Sequence, residues 1–194
     1  MNLLEDIKHY IEHSIDVKVA ILNNERLLMK IYQASQLVIS SIRRKGKILI
    51  AGNGGSAADS MHMATEFVAK FYAARQPLPA VALCADPCIM SAIANDFNFE
   101  YTYSRQIEAM GRENDVFIAI STSGTSKNIL NAIDAAKKKN MQVIFITSEM
   151  LGATYLQRAD ISICAPCNDV PLIQEAHKMI EHLISLEVEK EFNY

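Results

Sequence analysis

Five short apolar runs recur along the chain, and helical spacing of apolar residues follows most of them. The runs are KILIAGNGGS (47–56), PAVALCA (79–85), DVFIAIST (115–122), MQVIFITS (141–148) and DISICAP (160–166). A strand that is buried on both faces of a sheet has this continuous apolar character, and parallel strands need crossover helices between them. The alternation therefore predicts an α/β fold, with a doubly wound five-stranded parallel sheet and helices on both faces.

The region before the first strand, residues 1 to about 45, has apolar residues three and four apart and no proline, which is typical of helix. Gly46 is expected to end it. Two helices there cannot both bury an apolar face on one sheet, so we expect this N-terminal extension to lie in a subunit interface. A long last helix is predicted over roughly 170–191. With no linker or repeat, residues 1–194 are expected to form one domain.

The charge balance and the N-terminus exclude several classes of protein. The formal net charge of −3 argues against nucleic acid as a partner. The N-terminal MNLLEDIKHY lacks the basic and apolar regions of a signal peptide. The most apolar stretch, LPAVALCADPCIMSAIAN, is interrupted by Asp86 and Pro87, so a membrane span is not expected. These features predict a cytoplasmic protein.

Cys164 and Cys167 have the C-x-x-C spacing of redox and zinc sites. No second pair completes a zinc knuckle, and Cys164 falls at an alternating position of a strand-like run. We therefore favour buried, unreactive thiols over a functional pair.

The turn after the first strand reads GNGGS. Its glycines would let the backbone approach a ligand at a helix N-terminus. Gly52, Gly54 and Ala57 also fit the dinucleotide pattern G-x-G-x-x-A. A tight turn with Ser56 as the helix cap explains the same residues equally well.

The turn after the third strand reads STSGTS, residues 121–126. Capping a helix needs only one hydroxyl, whereas this turn offers five and a glycine. Hydroxyl and backbone N–H groups at a helix N-terminus can surround a phosphate. The composition therefore favours a phosphate site.

Two further sets of polar residues accompany these turns. His62 and Glu66 are four apart, so they share one face of the helix that starts at the glycine turn. Gln174 and His182 lie on the last helix, about 80° apart around its axis, and could converge on one site only obliquely. Asn95 and Asp96 end the helix after the second strand and serve either as its termination or as acceptors for sugar hydroxyls.

Several separated motifs together resemble one family. AGNGGSAADSMHMATEF, AIANDFNFE, SRQIEAMG, ISTSGTSKNI and IQEAHKMIEH have the order and spacing of the sedoheptulose 7-phosphate isomerases, which are phosphoheptose isomerases of the SIS domain superfamily. The resemblance covers residues 45 to 190, and the N-terminal helices also fit. This chain departs from the family pattern at Pro171 and Leu172, because many members carry arginine directly before I-Q-E. The departure concerns the residues that would reach the substrate on that side.

The resemblance implies a homotetramer that converts D-sedoheptulose 7-phosphate to D-glycero-D-manno-heptose 7-phosphate, toward activated heptose for lipopolysaccharide or capsule. It implies that Glu66 and His182 form the acid/base pair of an enediol mechanism. It implies a zinc ion held by His62, Glu66, Gln174 and His182, although His62 could instead only orient Glu66. The implied substrate contacts are Asn53, Gly54, Gly55, Ser56, Glu66, Asn95, Asp96, Ser121, Thr122, Ser123, Ser126 and Gln174.

Two other functions compete with this one. A non-catalytic SIS protein, of the kind that associates with a replication initiator, would bind without turnover, but the chain retains both Glu66 and His182. A nicotinamide-dependent oxidoreductase is permitted by the glycine turn. It would require an acidic residue about twenty positions further on, and Asp86 is too far away.

Overall fold

A computed structural model of the chain describes residues 3–149 and 153–192. Its centre is a five-stranded, all-parallel sheet in the order β2-β1-β3-β4-β5. The strands are β1 (Ile48–Gly52), β2 (Ala80–Ala82), β3 (Val116–Ile120), β4 (Gln142–Ser148) and β5 (Ile161–Ala165). This confirms the predicted α/β class, strand number and parallel pairing. The edge strand β2 has only three residues, fewer than its apolar run suggested. The N–H of Leu83 still donates to the carbonyl oxygen of Ile50 in β1, and the chain then turns away from the sheet.

Eight α-helices surround the sheet in the described part of the chain. They are α1 (Leu3–Leu22), α2 (Glu25–Arg43), α3 (Gly55–Val68), α4 (Pro87–Asp96), α5 (Ser104–Met110), α6 (Lys127–Lys138), α7 (Ala153–Leu156) and α8 (Val170–Phe192). The last helix was predicted to within one residue at each end. The segment between β4 and β5 was not assigned a structure from sequence, and residues 150–152 of it lie outside the described residues.

The two faces of the sheet carry separate apolar cores. Ile48 and Ile50 of β1 point to one face, where α2, α3 and α8 cover them. Leu49 and Ala51 point to the other face, where α5 and α6 lie. All four side chains are fully buried. The continuous apolar runs thus arise because successive residues of a central strand face two different cores.

The N-terminal region forms two helices, as predicted, with a break at Asn23 and Asn24. The side-chain oxygen of Asn24 accepts a hydrogen bond from the Leu27 N–H and so caps α2. Gly46 does not end α2, because the helix stops at Arg43 and Lys45 takes the left-handed conformation, with φ of 61°. Gly46 is instead required by close packing, since a Cβ there would lie 2.2 Å from the carbonyl oxygen of Asn114.

The strand order places a topological switch point between β1 and β3. Chain connections leave these two strands toward opposite sides, so a crevice opens at their carboxyl ends. Both polar turns found in the sequence follow these strands, GNGGS after β1 and STSGTS after β3. The fold therefore brings them to one place.

None of the described helices is both long enough and apolar enough to cross a membrane.

Candidate active site

The STSGTS turn follows β3 and leads into α6. Gly124 has a φ of 66°, and its N–H donates to Ser121 Oγ at 3.1 Å. Ser126 occupies the N-cap position of α6, yet its hydroxyl makes no capping hydrogen bond. Ser123 is exposed, whereas Ser121 is buried and Thr122 is half-buried. The hydroxyls of this turn thus lie beside the N-terminus of α6, and the hydroxyl of the N-cap residue does not cap the helix. A helix N-terminus with hydroxyls beside it suits an anion.

The glycine turn faces the same crevice. Gly54 has φ 56° and ψ −120°, a conformation that L-residues avoid, and it is the N-cap of α3. Ser56 is therefore not the cap, contrary to the alternative drawn from sequence; it lies in the first turn of α3, and it is buried. The side chain of Asn53 forms two 2.8 Å hydrogen bonds with Asn128 of α6, one in each direction. This pair ties the β1 turn to the start of α6 across the switch point.

Gly55 allows α8 to approach the start of α3. A Cβ on Gly55 would lie 2.4 Å from Nε2 of Gln174, so the amide of Gln174 rests directly on this backbone. Further along, Lys178 Nζ lies 2.9 Å from Asp59 Oδ1. The two helices run in the same direction here, since residues 174, 178 and 182 of α8 meet residues 55, 59 and 62 of α3 in that order.

His62, Glu66 and His182 form the third part of the site. His62 Nε2 lies 3.0 Å from Glu66 Oε1 and 3.1 Å from His182 Nε2. His182 reaches this group because α3 and α8 cross here, whereas Gln174, which was expected to approach the same site obliquely, contacts Gly55 instead. A single nitrogen of His62 therefore faces both an acceptor oxygen and another ring nitrogen. A neutral His62 has at most one proton on that nitrogen, so only one of the two contacts is a hydrogen bond unless a cation lies between them.

The surroundings of His182 lower its pKa. The first cause is burial, and the nearby ring of His62 acts in the same direction, while Glu66 opposes both. The ring of Phe71 packs on one side of it, with ring centroids 5.5 Å apart. A neutral imidazole retains one N–H to donate and one lone pair to accept, so His182 can pass a proton between two oxygens.

The three side chains fit a metal ion. Their donor atoms, two imidazole nitrogens and one carboxylate oxygen, lie within 4.8 Å of one another. Tetrahedral zinc holds such donors at about 2.0–2.2 Å and hence roughly 3.4 Å apart, and two histidines with a glutamate are a known catalytic zinc set. Gln174 is about 12 Å along α8 from His182 by helical rise, and its amide lies at Gly55.

Asn95 and Asp96 are exposed at the end of α4, as their position in the sequence predicted. The Asn95 amide donates to Asp96 Oδ1 at 2.8 Å. Another face of α4 meets Asn53, Gly54 and the ring of Phe99 around a cavity of about 470 Å³. The crevice beside the glycine turn therefore has an apolar wall large enough for part of a sugar.

The C-x-x-C cysteines lie away from these groups. Burial is the first cause that raises the pKa of both the Cys164 and the Cys167 thiol. Reactive and metal-binding cysteines have lowered pKa values, because they act as thiolates. Both cysteines are only half-buried rather than buried as predicted, but the raised pKa values agree with unreactive thiols.

The groups that surround the acid/base pair were not expected from the sequence. Lys178 bridges Asp59 of α3 and Glu181 of α8, and Glu181 is fully buried. Burial first, and then the charge of Asp59, raise the pKa of Glu181 to about 8. Phe71 was also missed, because a lone aromatic after a helix carries no spacing signal. One signal was available in the sequence. Asp59 lies four residues before Met63, and Lys178 lies four residues before His182, so each charge shares a helix face with a residue that points inward.

Comparison with known proteins extends the likeness over nearly the whole chain. Residues 9–148 match the family model of the SIS domain. A phosphoheptose isomerase of Aneurinibacillus thermoaerophilus is 45% identical over 184 residues, which is 95% of this chain and 92% of the relative. Two solved phosphoheptose isomerase structures are each 33% identical. That from Francisella tularensis has a TM-score of 0.92 and covers 98% of this chain, and that from Neisseria gonorrhoeae has 0.90 and covers 97%; each is matched over 100% of its length.

Proposed function

The chain belongs to the phosphoheptose isomerases, a family of SIS-domain enzymes, and we propose that it interconverts D-sedoheptulose 7-phosphate and D-glycero-D-manno-heptose 7-phosphate. The observation that carries this proposal is that His62 contacts both Glu66 and His182, at the edge of a crevice where the N-cap hydroxyl of α6 makes no capping hydrogen bond. An acid/base pair beside an anion site suits the isomerisation of a sugar phosphate.

The reaction moves one hydrogen between adjacent carbons. The Glu66 carboxylate takes a proton from C1 of the ketose, and the electron pair forms the C1–C2 double bond of an enediol. His182 donates its ring proton to the oxygen on C2 and then accepts the proton from the oxygen on C1. Glu66 returns its proton to C2, which leaves an aldehyde at C1. No external acid, base or oxidant is consumed.

The phosphate would bind at the STSGTS turn, where Ser121, Thr122, Ser123 and Ser126 supply hydroxyls and α6 supplies its N-terminus. Asn53, Gly54, Gly55 and Ser56 would line the sugar beside it, with Gln174 behind Gly55 and with Asn95 and Asp96 at the outer end. This arrangement would hold the sugar chain between the turn and Glu66. The close contact of Gln174 with Gly55 supports a role for the amide in orienting the substrate.

The residues would also hold a zinc ion, through His62, Glu66 and His182. Gln174, the fourth ligand that the resemblance implied, lies too far along α8 to join them within one chain. Bound there, the ion would polarise the substrate carbonyl. The supporting observation is the donor set and its spacing within 4.8 Å. In the absence of an ion, His62 would orient Glu66 through their 3.0 Å contact.

The product would feed activated heptose for lipopolysaccharide or capsule, and the enzyme would act in the cytoplasm as a homotetramer. Exposed apolar side chains on α1 support the assembly, because a monomer would leave them in water. They are Leu3, Leu4, Ile7, Ile11, Ile15, Val19 and Leu22.

The proposal is tested by incubating the purified full-length chain with D-sedoheptulose 7-phosphate and following the aldose by NMR. The protein is prepared metal-free and with one equivalent of zinc. Turnover in either preparation supports the isomerase. Saturable binding without turnover in both would instead favour the non-catalytic SIS function.

The metal site has a separate test that does not use activity. Zinc content after dialysis is measured for the natural chain and for His62→Ala and His182→Ala, with His13→Ala as the matched control on exposed α1. Loss of bound zinc in the first two variants alone is expected. Equal zinc in all four proteins would remove the site.

A further inference from the structure

A buried ion pair joins the two catalytic helices beyond the acid/base pair. Arg75 lies in the segment after α3, and Glu189 lies in the last turns of α8. Arg75 Nε is 3.6 Å from Glu189 Oε1, and the side chains are only 2% and 5% exposed. This distance makes the contact electrostatic rather than a hydrogen bond. The other hydrogen-bonding atoms of both side chains are used elsewhere.

The carboxylate of Glu189 holds the backbone of the segment after α3. It accepts hydrogen bonds from the N–H groups of Phe71, Tyr72 and Ala73, at 2.9, 2.8 and 3.2 Å. Burial works against the charge, but these N–H groups and Arg75 outweigh it and lower the pKa of Glu189. A charged carboxylate with three backbone donors is a strong anchor, because charge-assisted hydrogen bonds are about twice as strong as neutral ones.

The guanidinium of Arg75 holds the end of α3. Its Nη2 donates to the carbonyl oxygen of Glu66 at 2.6 Å, and its Nη1 donates to the carbonyl oxygens of Phe67 and Gln76 at 2.8 and 3.0 Å. A cation at a helix C-terminus satisfies carbonyls that lack partners and interacts favourably with the helix dipole. Arg75 therefore fixes the backbone of the very residue that acts as the base.

The anchored segment also supports the acid. Phe71, whose N–H is held by Glu189, packs its ring against His182 at a centroid distance of 5.5 Å. Arg75 and Glu189 thus act on opposite partners of the reaction, one through the backbone of Glu66 and the other through Phe71.

We propose that Arg75 and Glu189 are positioning residues of the isomerase, which set the distance between Glu66 and His182 without touching the substrate. This inference rests on the proposed function. A buried ion pair is weak evidence for stability, since apolar residues of similar volume often stabilise a protein as well or better. The geometry gives the pair a different use, because planar guanidinium and carboxylate groups fix three carbonyls and three N–H groups in set directions.

The test uses two conservative variants and two matched controls. Glu189→Gln keeps the shape but loses the charge and one acceptor, and Arg75→Lys keeps the charge but loses the planar donors. Glu191→Gln and Arg43→Lys make the same changes in the exposed ion pair of Glu191 with Arg43, which also involves α8. Each full-length protein is assayed for kcat and KM, and hydrogen exchange of residues 71–73 is measured by mass spectrometry.

We expect Glu189→Gln and Arg75→Lys to lower kcat at least tenfold with KM within about threefold of the natural value, because the phosphate turn is untouched. Exchange at residues 71–73 should be faster in Glu189→Gln. The two controls should match the natural chain in both measurements.

Faster exchange with an unchanged kcat would overturn the proposal, since the pair would then serve stability alone. A rise of KM with an unchanged kcat would also overturn the proposal. If Glu189→Gln does not fold, Arg75→Lys alone decides by the same criteria. An inactive natural chain would contradict the proposed function, whereas an active natural chain with fully active variants would contradict only the positioning role.

Discussion

At the scale of single residues, the proposed chemistry depends on the carboxylate of Glu66. Its oxygen lies 3.0 Å from His62, and its side chain is only 14% exposed, so little water competes for it. Its main chain is held by Arg75 at the end of α3. Contacts with His62 and Arg75 therefore hold the base in position, and its low exposure limits its contact with water.

We predict that Glu66→Gln lowers turnover by at least ~10²-fold, because an amide cannot accept the proton from C1. The fold should remain intact, since the amide can still contact His62. Turnover is measured together with circular dichroism and the thermal midpoint. Glu187→Gln, on the exposed side of α8, is the control and should remain active. Near-normal turnover of folded Glu66→Gln would remove Glu66 from the mechanism.

At the scale of elements, the sequence predicted the strands and the last helix well but left the pairing of helices open. Strands β1 and β3 are recognisable because each is a continuous apolar run that ends in a polar turn. The crossing of α3 and α8 was not predictable, because His182 meets His62 only through the packing of two helices 120 residues apart. Likewise, nothing in the spacing of Arg75 and Glu189 indicates that they meet in the interior.

The crossing of α3 and α8 contains a pH-dependent element. Glu181 is fully buried with a pKa of about 8, against an ordinary value of 4.5, chiefly because burial disfavours its charged form. The folded chain therefore binds one more proton than the unfolded chain between these two values. By linkage, this group makes the free energy of unfolding fall as pH rises from 4.5 to 8, by up to about 1.4 kcal/mol per pH unit.

We predict that Glu181→Gln stabilises the protein at pH 8 relative to the natural chain and has little effect near pH 4.5. A neutral amide stays uncharged at both pH values, so it avoids the cost of burying a carboxylate. Urea unfolding with a chelator present gives the free energies of both proteins across this range. Glu187→Gln, on the exposed side of α8, is the matched control and is measured over the same pH range. A stabilisation that does not grow with pH would show that Glu181 is ionised in the folded state.

At the scale of the whole molecule, the N-terminal helix α1 links the proposed assembly to the active site. The carboxylate of Glu175, next to Gln174 in α8, accepts hydrogen bonds from Tyr10, Ser14 and Lys18 of α1. The opposite side of α1 presents its exposed apolar residues to solvent. The helix is thus anchored to the start of α8 on one side and available to other subunits on the other.

We predict that Ile11→Lys breaks the assembly into smaller species, because a buried unpaired ammonium is costly in an apolar interface. Light scattering after gel filtration should give about four times the chain mass of 21.6 kDa for the natural protein and less for the variant. Glu12→Lys, a charge change at the neighbouring exposed position, should leave the mass unchanged. A natural chain that is monomeric would contradict the role given to α1.

Glu66 and His182 are proposed to move protons through an enediol, and an isotope experiment tests this role most directly. The natural chain is incubated with D-sedoheptulose 7-phosphate in D₂O until the sugars reach equilibrium, and the aldose is examined by NMR. An acid/base pair exchanges its protons with the solvent over many turnovers, so we predict deuterium at C2 of the aldose. Aldose that stays free of deuterium at C2 after many turnovers would contradict the account, because a direct hydride shift between the carbons exchanges no hydrogen with the solvent, whereas a carboxyl proton does.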